Sequence, residues 1–521
     1  MRNSHSLSLV AVIALAASVG TPMAATAASG TGLSGRARLA HPAVTNVARA
    51  AAQQAWLGFE ARMAARQHSR TTPLTAPQAA TAPTSAFSKI TNVESVSRDT
   101  LPSTDGAEPD TQTEPDVAVD PSNPQVIIAA AQQGRYVDGG SVDPGYATSQ
   151  DGGRSWAAGN LPLLTTTVGG PFQRASDVAV AFGPDGSAYA QTIPFDQTSA
   201  PSAVAVQRST DGGLSFGAPS LVVNDNDINI FNDKNWIAVD TSRRSPHYGR
   251  VYSVWSRFIT TGTGTSAVTH SPGTVSYSDD HGQTWSPFRF TGAADADTEG
   301  LVPLIHPDGS VTVVYDLTVG NNDFETAQTS RDGGNTWSPP ATVAQFLGAG
   351  ISGMRTGGLP AAAIDPSTGH MYVVWQDTRF NSAGLNDIVL SVSTDGGQDW
   401  STPRAVSPRV AGLDRFTPAV AAAGGAVHII YGTRGANGTA PSVTEDYVVS
   451  TDGGQTFGSE RQVGPPSVLR WAAVADTRAF LGDYVGVAAT PRLAVLSWCV
   501  SSRPPLTGTY HQTMWAAEVT R

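Results

Sequence analysis

The chain has 521 residues, a hydrophobic fraction of 40%, a net charge of -11 and a pI near 5.3. A packed core is within reach at that composition, while the acidic balance excludes the basic face that a nucleic-acid partner requires. Charged residues make up only 14%, against roughly 25% in ordinary domains, and 53 Gly with 35 Pro point to many turns, short elements and little helix. Lys89 and Lys234 are the only lysines, so positive charge here is arginine chemistry, suited to planar contact with carboxylate or phosphate.

Residues 1–28 read as a signal peptide. "MRNSHSLSLVAVIALAASVG" has a basic start at Arg2 and an apolar run from Leu7 to Val19, followed by Ala25 and Ala27 in small-x-small spacing. The run is short for a membrane span, and no later segment approaches about 18 uninterrupted apolar residues. A secreted, extracellular protein without a membrane span is expected.

Residues 29–88 differ in composition from the rest. "HPAVTNVARAAAQQAWLGFEARMAARQHSR" places Val44, Val47, Ala51, Trp56, Phe59 and Met63 near helical spacing, the best helix signal in the chain. "TTPLTAPQAATAPTSAF" then reads as a Pro/Ala/Thr linker. The whole stretch is expected to be a pro-segment or spacer.

From residue 89 to 521 a repeat takes over. Six octapeptides recur at intervals of 52 to 69 residues: "SQDGGRSW", "STDGGLSF", "SDDHGQTW", "SRDGGNTW", "STDGGQDW" and "STDGGQTF". Their central aspartates are Asp151, Asp211, Asp280, Asp332, Asp395 and Asp452. Each follows three strand-like runs, as in "AAAIDPSTG", "MYVVW" and "DIVLSVSTDGG", and precedes a short fourth. Four antiparallel strands repeated radially are a β-propeller blade. Three further runs without an octapeptide, "DYVGVAATPR", "LAVLSWCV" and "TMWAAEVT", lack a fourth strand. "KITNVESV" (89–96) has the length to supply it, which predicts an all-β propeller of seven blades closed by an N-terminal strand, six being the alternative. The single Cys499 lies in the apolar run "LAVLSWCV" and reads as a buried small hydrophobe.

The octapeptide itself is turn chemistry. Its glycines supply positive φ, its Asp accepts hydrogen bonds from turn N–H groups, and its final aromatic restarts the strand alternation. One or two oxygens per turn fall short of the six to eight that calcium takes. The six aspartates are therefore expected to be structural.

Ser-x-Asp-x-Gly-x-Thr-Trp resembles the Asp box, or bacterial neuraminidase repeat, and the chain looks like a secreted member of the sialidase-like propeller superfamily over about four-fifths of its length. The resemblance implies that the boxes lie on hairpins between strands three and four, on the face away from the active site. It implies fold more than reaction, since sialidases, other glycosidases and non-catalytic members share the boxes. The Arg-Ile-Pro signature of sialidases is absent, and a seventh blade departs from their six-bladed ring, so the catalytic residues of that family are not carried over.

The face opposite the boxes is then built from loops entering strand one and loops joining strands two and three. The entry loops hold Glu114, Asp116, Arg174, Asp177, Asp233, Lys234, Glu299, Arg355, Arg415, Asp476, Arg478, Asp483 and Tyr484. The second set holds Arg135, Arg257, Asp316, Asp377, Arg379, Arg434 and Arg503. A polar cavity of both signs suits a sugar, especially an acidic one. Asp116, Asp233, Asp377 and Asp483 are the candidates for acid, base or ligand, and Tyr484 for nucleophile or stacking ring. Glu114, Arg379 and Arg478 are the candidates for substrate contact.

No His/Cys cluster at metal spacing, no phosphate-cradling glycine loop and no G-x-S-x-G elbow competes, so no metal or cofactor is expected. Two functions follow: a glycoside hydrolase acting on an extracellular glycan or glycoconjugate, or a non-catalytic propeller that binds glycan or protein at or outside the cell surface. Substrate, oligomeric state and the fate of residues 29–88 stay open.

Overall fold

A computed structural model describes residues 47–68, 78–81, 87–408, 410, 412–435, 440–505 and 508–521. The signal-peptide reading of residues 1–28 lies outside the described residues, as does most of the Pro/Ala/Thr linker. Strand accounts for 53% and helix for 6%, in a β-propeller arrangement in which five blades are distinguished. Ten elements suffice to place the site: α1 (Val47–His68), β1 (Lys89–Ser95), β2 (Ala107–Val119), β3 (Arg174–Phe182), β4 (Ile230–Val239), β5 (Asp297–Ile305), β6 (Ala361–Ile364), β7 (Leu413–Ala423), β8 (Gly486–Ala489) and β9 (Gln512–Thr520). Strands β2 to β8 each open an antiparallel meander.

Among the described residues the large sheets are five: one of twelve strands, one of five and three of four. Within the twelve-stranded sheet, the meander opened by β3 joins the one opened by β2 through a single residue pair, Ser141 with Ala175. A second single pair, Thr111 with Gln512, links β2 to β9. Strand β1 runs antiparallel to β9, from Lys89 opposite Thr520 to Ser95 opposite Trp515. The fourth strand missing from the C-terminal repeat is thus supplied from the N-terminal side.

The core sits between successive sheets. In five of the repeats the second strand carries a bulky ring, and Trp255, Trp375, Tyr431 and Trp498 are fully buried there, with Tyr315 nearly so. Burying such a ring contributes about 2 kcal/mol from area alone. This is why "VYSVW", "MYVVW" and "VHIIY" read as near-continuous apolar runs.

Each octapeptide closes on itself. Ser149 Oγ donates to Asp151 at 2.9 Å and accepts from the Gly153 amide at 2.8 Å, while Asp151 accepts from the Ser155 amide and hydroxyl. The Ser155 hydroxyl first, then the Ser155 amide and the Ser149 hydroxyl, hold the Asp151 carboxyl down at about 2. The same Ser-to-Gly bond of 2.8–3.0 Å recurs in the other five copies. In the third copy His281 takes the left-handed position, φ 62°, that glycine fills elsewhere. The turns also dock between repeats: Thr148 Oγ1 and the Tyr146 hydroxyl donate to the carbonyls of Gly213 and Leu214 in the next box.

Candidate functional site at the propeller mouth

The innermost strands carry a repeated irregularity. In β2, β3, β4, β5 and β7 the pairing with the second strand skips two residues, after Thr113, Ser176, Asp233, Glu299 and Phe416. The first skipped residue is left-handed in every case: Glu114 (φ 56°), Asp177 (49°), Lys234 (43°), Gly300 (71°) and Thr417 (50°). A regular strand points successive side chains to opposite faces, whereas a bulge turns neighbours to the same side. Ser176 with Asp177, and Asp233 with Lys234, accordingly line one cavity together. Left-handed backbone costs a non-glycine residue about 1 kcal/mol or more, and such strain concentrates at functional sites.

The cavity measures about 560 Å³ and lies on the mouth formed by these bulges. Glu114, Asp177, Asp233, Lys234, Glu299, Asp316, Arg355, Asp476 and Asp483 form its floor and sides, with Arg135 beside them. No octapeptide residue lines it. Gly482 (φ 145°) allows the Asp483 loop to approach, since a Cβ there would lie 2.8 Å from the Glu114 amide nitrogen. The Asp483 amide donates to Glu114 Oε1 at 3.3 Å, and the Gln132 side chain donates to Glu114 Oε2.

Burial dominates the electrostatics. Glu114 is pushed up to about 8 by desolvation, then by the charges of Asp177 and Asp483. Asp233 rises to about 7 for the same reason, with Asp177 the next influence, and Glu299 is raised well above the carboxylate range by burial and Asp233. Burial lowers Lys234, against the opposing pull of Asp177 and Glu114. Arg355 pairs with Asp483 Oδ2 at 2.7 Å, while Asp483 Oδ1 has no hydrogen-bond partner among the described residues. The floor therefore presents carboxylic acids that still hold protons near neutrality beside an ion-paired carboxylate, the combination that acid–base chemistry on one fold requires.

Of the residues singled out by sequence, Glu114, Asp233 and Asp483 meet in the cavity. Asp116 does not: one residue past the bulge pair its carboxylate accepts from the Val180 amide at 2.8 Å, tying β2 to β3. Asp377 is fully buried in a bidentate pair with Arg379, accepts from the Trp375 indole at 3.2 Å and caps the short 3-10 turn Thr378–Phe380. Arg379 also donates to the Gln345 carbonyl at 2.8 Å, outside the cavity. Arg478 pairs with Asp476 at 3.3 Å, and of the two only Asp476 lines the cavity. Tyr484 donates its hydroxyl to the Val178 carbonyl at 3.3 Å, turns its ring to Lys234 and does not line the cavity.

Sequence reasoning missed the roof. Helix α1, read as a spacer, lies across the mouth, and Arg49, Gln53, Gly58, Phe59 and Arg62 line the cavity from above. Of the apolar positions expected, Phe59 and Met63 are buried, joined by Ala48, Ala52 and Arg49, whereas Val47 is 41% exposed and Val44 lies outside the described residues. The signal available was Arg49 and Arg62 on the same side as those small residues.

Among the described residues no group of three or more His, Cys, Asp or Glu is placed to hold a metal ion. No described helix is long and apolar enough to cross a membrane.

The fold and the boxes define the class: the chain carries the BNR/Asp-box repeat, whose family model matches residues 276–287, on a β-propeller. No curated protein matches it. Solved structures similar to it include a Dyadobacter fermentans protein of unknown function, with 15% identity, TM-score 0.42, 82% of this chain and 100% of that one. A leech intramolecular trans-sialidase aligns with 13% identity and TM-score 0.42 over 72% and 70% of the two chains. A Penicillium chrysogenum alpha-L-arabinanase aligns with 11% identity and TM-score 0.42 over 66% and 92%. At such scores the activity has to be argued from this chain's own residues.

Proposed function

We propose that the chain is a secreted, seven-bladed Asp-box propeller that takes a glycan into the mouth cavity and hydrolyses a glycosidic bond there. Glu114 is assigned as proton donor and Asp483 as the partner carboxylate. The observation that carries this reading is the environment of the pair: Glu114 at about 8, adjoining Asp483 in its ion pair with Arg355. Glycoside hydrolysis asks for two carboxyl groups in different protonation states across one bond. A glycan as substrate class is favoured by the polar cavity lined by both signs of charge. Seven blades are favoured by strand contacts: β2 to β8 each touch the next, and β8 touches β2.

A second reading, a non-catalytic propeller binding glycan or protein, is favoured by Glu114 itself, both of whose oxygens already accept hydrogen bonds. A panel of fluorogenic glycosides, run beside a glycan array, separates the two. Release that falls by about 10² to 10⁴ in Glu114→Gln supports hydrolysis. Glycan retention with no release across the panel overturns it and leaves the binding reading.

A further inference from the structure

Helix α1 meets the propeller through two described clusters. Its 22 residues span about 33 Å, and it is fastened near its two ends. At the N-terminal end Ala48 and Ala52 sit among Ile193, Phe195, Phe231 and Phe258, and the Ala48 amide donates to the Ile228 carbonyl at 2.9 Å. Toward the C-terminal end Phe59 stacks on Phe346 with ring centroids 5.7 Å apart, and Met63 joins the same cluster. There Arg62 grips Asp323 through two bonds of 2.8 and 3.2 Å. Between the two fastenings Ala55 and Gly58 face the cavity.

Nothing in this arrangement is strand pairing. Among the described side chains, four buried apolar residues, the Arg62–Asp323 ion pair and the hydrogen bonds of Arg49 and Gln53 hold the helix, a layer of the kind that opens at a free energy well below global unfolding. Its position decides what opening would do. The floor residues Glu114, Asp177 and Asp233 lie under it, and Gln53 and Arg49 tie its near end to the Asp138 carbonyl on the rim at 2.9 and 3.1 Å.

We infer that α1 is an intramolecular gate: docked, it roofs the mouth and keeps bulky ligands from the acidic floor, and undocked at either end it admits them. This rests on the cavity being the binding site, so the test reads access to the floor without a glycan. Cys499 is the only cysteine and is 2% exposed, which makes an engineered thiol a clean reporter. Ser176→Cys places that thiol on the cavity floor. Its labelling by a bulky polyethylene-glycol maleimide is compared in the full-length chain and in chains also carrying Phe59→Asp or Ala48→Asp, which unfasten opposite ends.

The gate predicts labelling at least tenfold faster in both unfastened variants, with Cys499 unlabelled throughout. Equal rates overturn it, because reagent would then enter beside the helix. Labelling of Cys499 together with the introduced thiol in both variants also overturns it, because α1 would then be an integral part of the fold. Either failure leaves the glycan assay untouched, and a failed glycan assay leaves the gate standing.

Discussion

The Lys234 ammonium stands 3.8 Å from the centre of the Tyr484 ring and has no hydrogen-bond acceptor among the described residues. Trp236 completes the seat at 4.2 Å, with its ring edge-on to Tyr484. A cation over two aromatic faces gains about 1–2 kcal/mol when desolvated. Here it also lies among carboxyls that burial would otherwise drive further from ionisation. Replacing Lys234 with Met removes the compensating charge. The expected loss is about 3 kcal/mol at pH 8 and less at pH 5, where burial keeps Glu114 and Glu299 protonated. Urea midpoints at the two pH values measure the difference, and an equal loss at both would contradict the coupling.

Glu114 sets a pH dependence of its own. Its folded value, about 8, lies above the ordinary 4.5, so the folded state binds the proton more tightly than the unfolded one. The stability it contributes is fully present below about 4.5 and is lost as pH rises toward 8. Glu114→Gln should flatten that slope, removing on the order of 2–5 kcal/mol of variation across the window. If hydrolysis uses this proton, the rate of the unmodified chain falls above pH 8 as well.

Asp377 invites mutation as a catalytic acid, yet it lies fully buried in its pair with Arg379. Asp377→Asn should cost about 3–5 kcal/mol by leaving the guanidinium uncompensated. Glycan affinity, measured below the denaturation range by calorimetry, should not change. A selective loss of turnover at undiminished stability would reverse the assignment.

The boxes should report in acid. Asp452 accepts from the Ser450 hydroxyl at 2.7 Å and from the Thr456 hydroxyl and amide at 2.6 and 2.9 Å. Asp452→Asn should lower stability by about 1 kcal/mol and leave ligand binding unaltered. Asp151 is held at about 2. Because folded values lie below the ordinary 3.8, the boxes' contribution is present above that value and drains away as pH falls toward 2. Acid titration followed by tryptophan fluorescence should show the midpoint of Asp452→Asn shifted upward.

The repeat made the fold legible. Six turns sharing the Ser-to-Asp and Gly-to-Ser hydrogen bonds, each after two apolar strand-like runs, leave little freedom of architecture, and even the pairing of "KITNVESV" with "TMWAAEVT" follows from counting strands. The site was half legible. Glu114, Asp233 and Asp483 could be placed at a mouth because entry loops must meet there. Whether a residue on such a loop points inward depends on a bulge, and nothing in "TEPD" tells Glu114 from Asp116 until the backbone at Glu114 is left-handed. Asp377 and Arg379 read as a charged loop because their mutual pairing spans only two residues. The roof was hidden for another reason: a helix with one apolar side declares that it packs, never on what.

The seam between β1 and β9 has a kinetic meaning. Asn92 and Glu518, hydrogen-bonded across it, are 426 positions apart. Bringing such distant segments together costs about 5 kcal/mol of chain entropy, growing only slowly with length. Contacts of that separation are the slowest to form. Until they do, β9 offers an unpaired edge to any other chain. The same seam is where a stretched or heated molecule would begin to unzip, and its lifetime sets how long newly made chains remain prone to stick to one another.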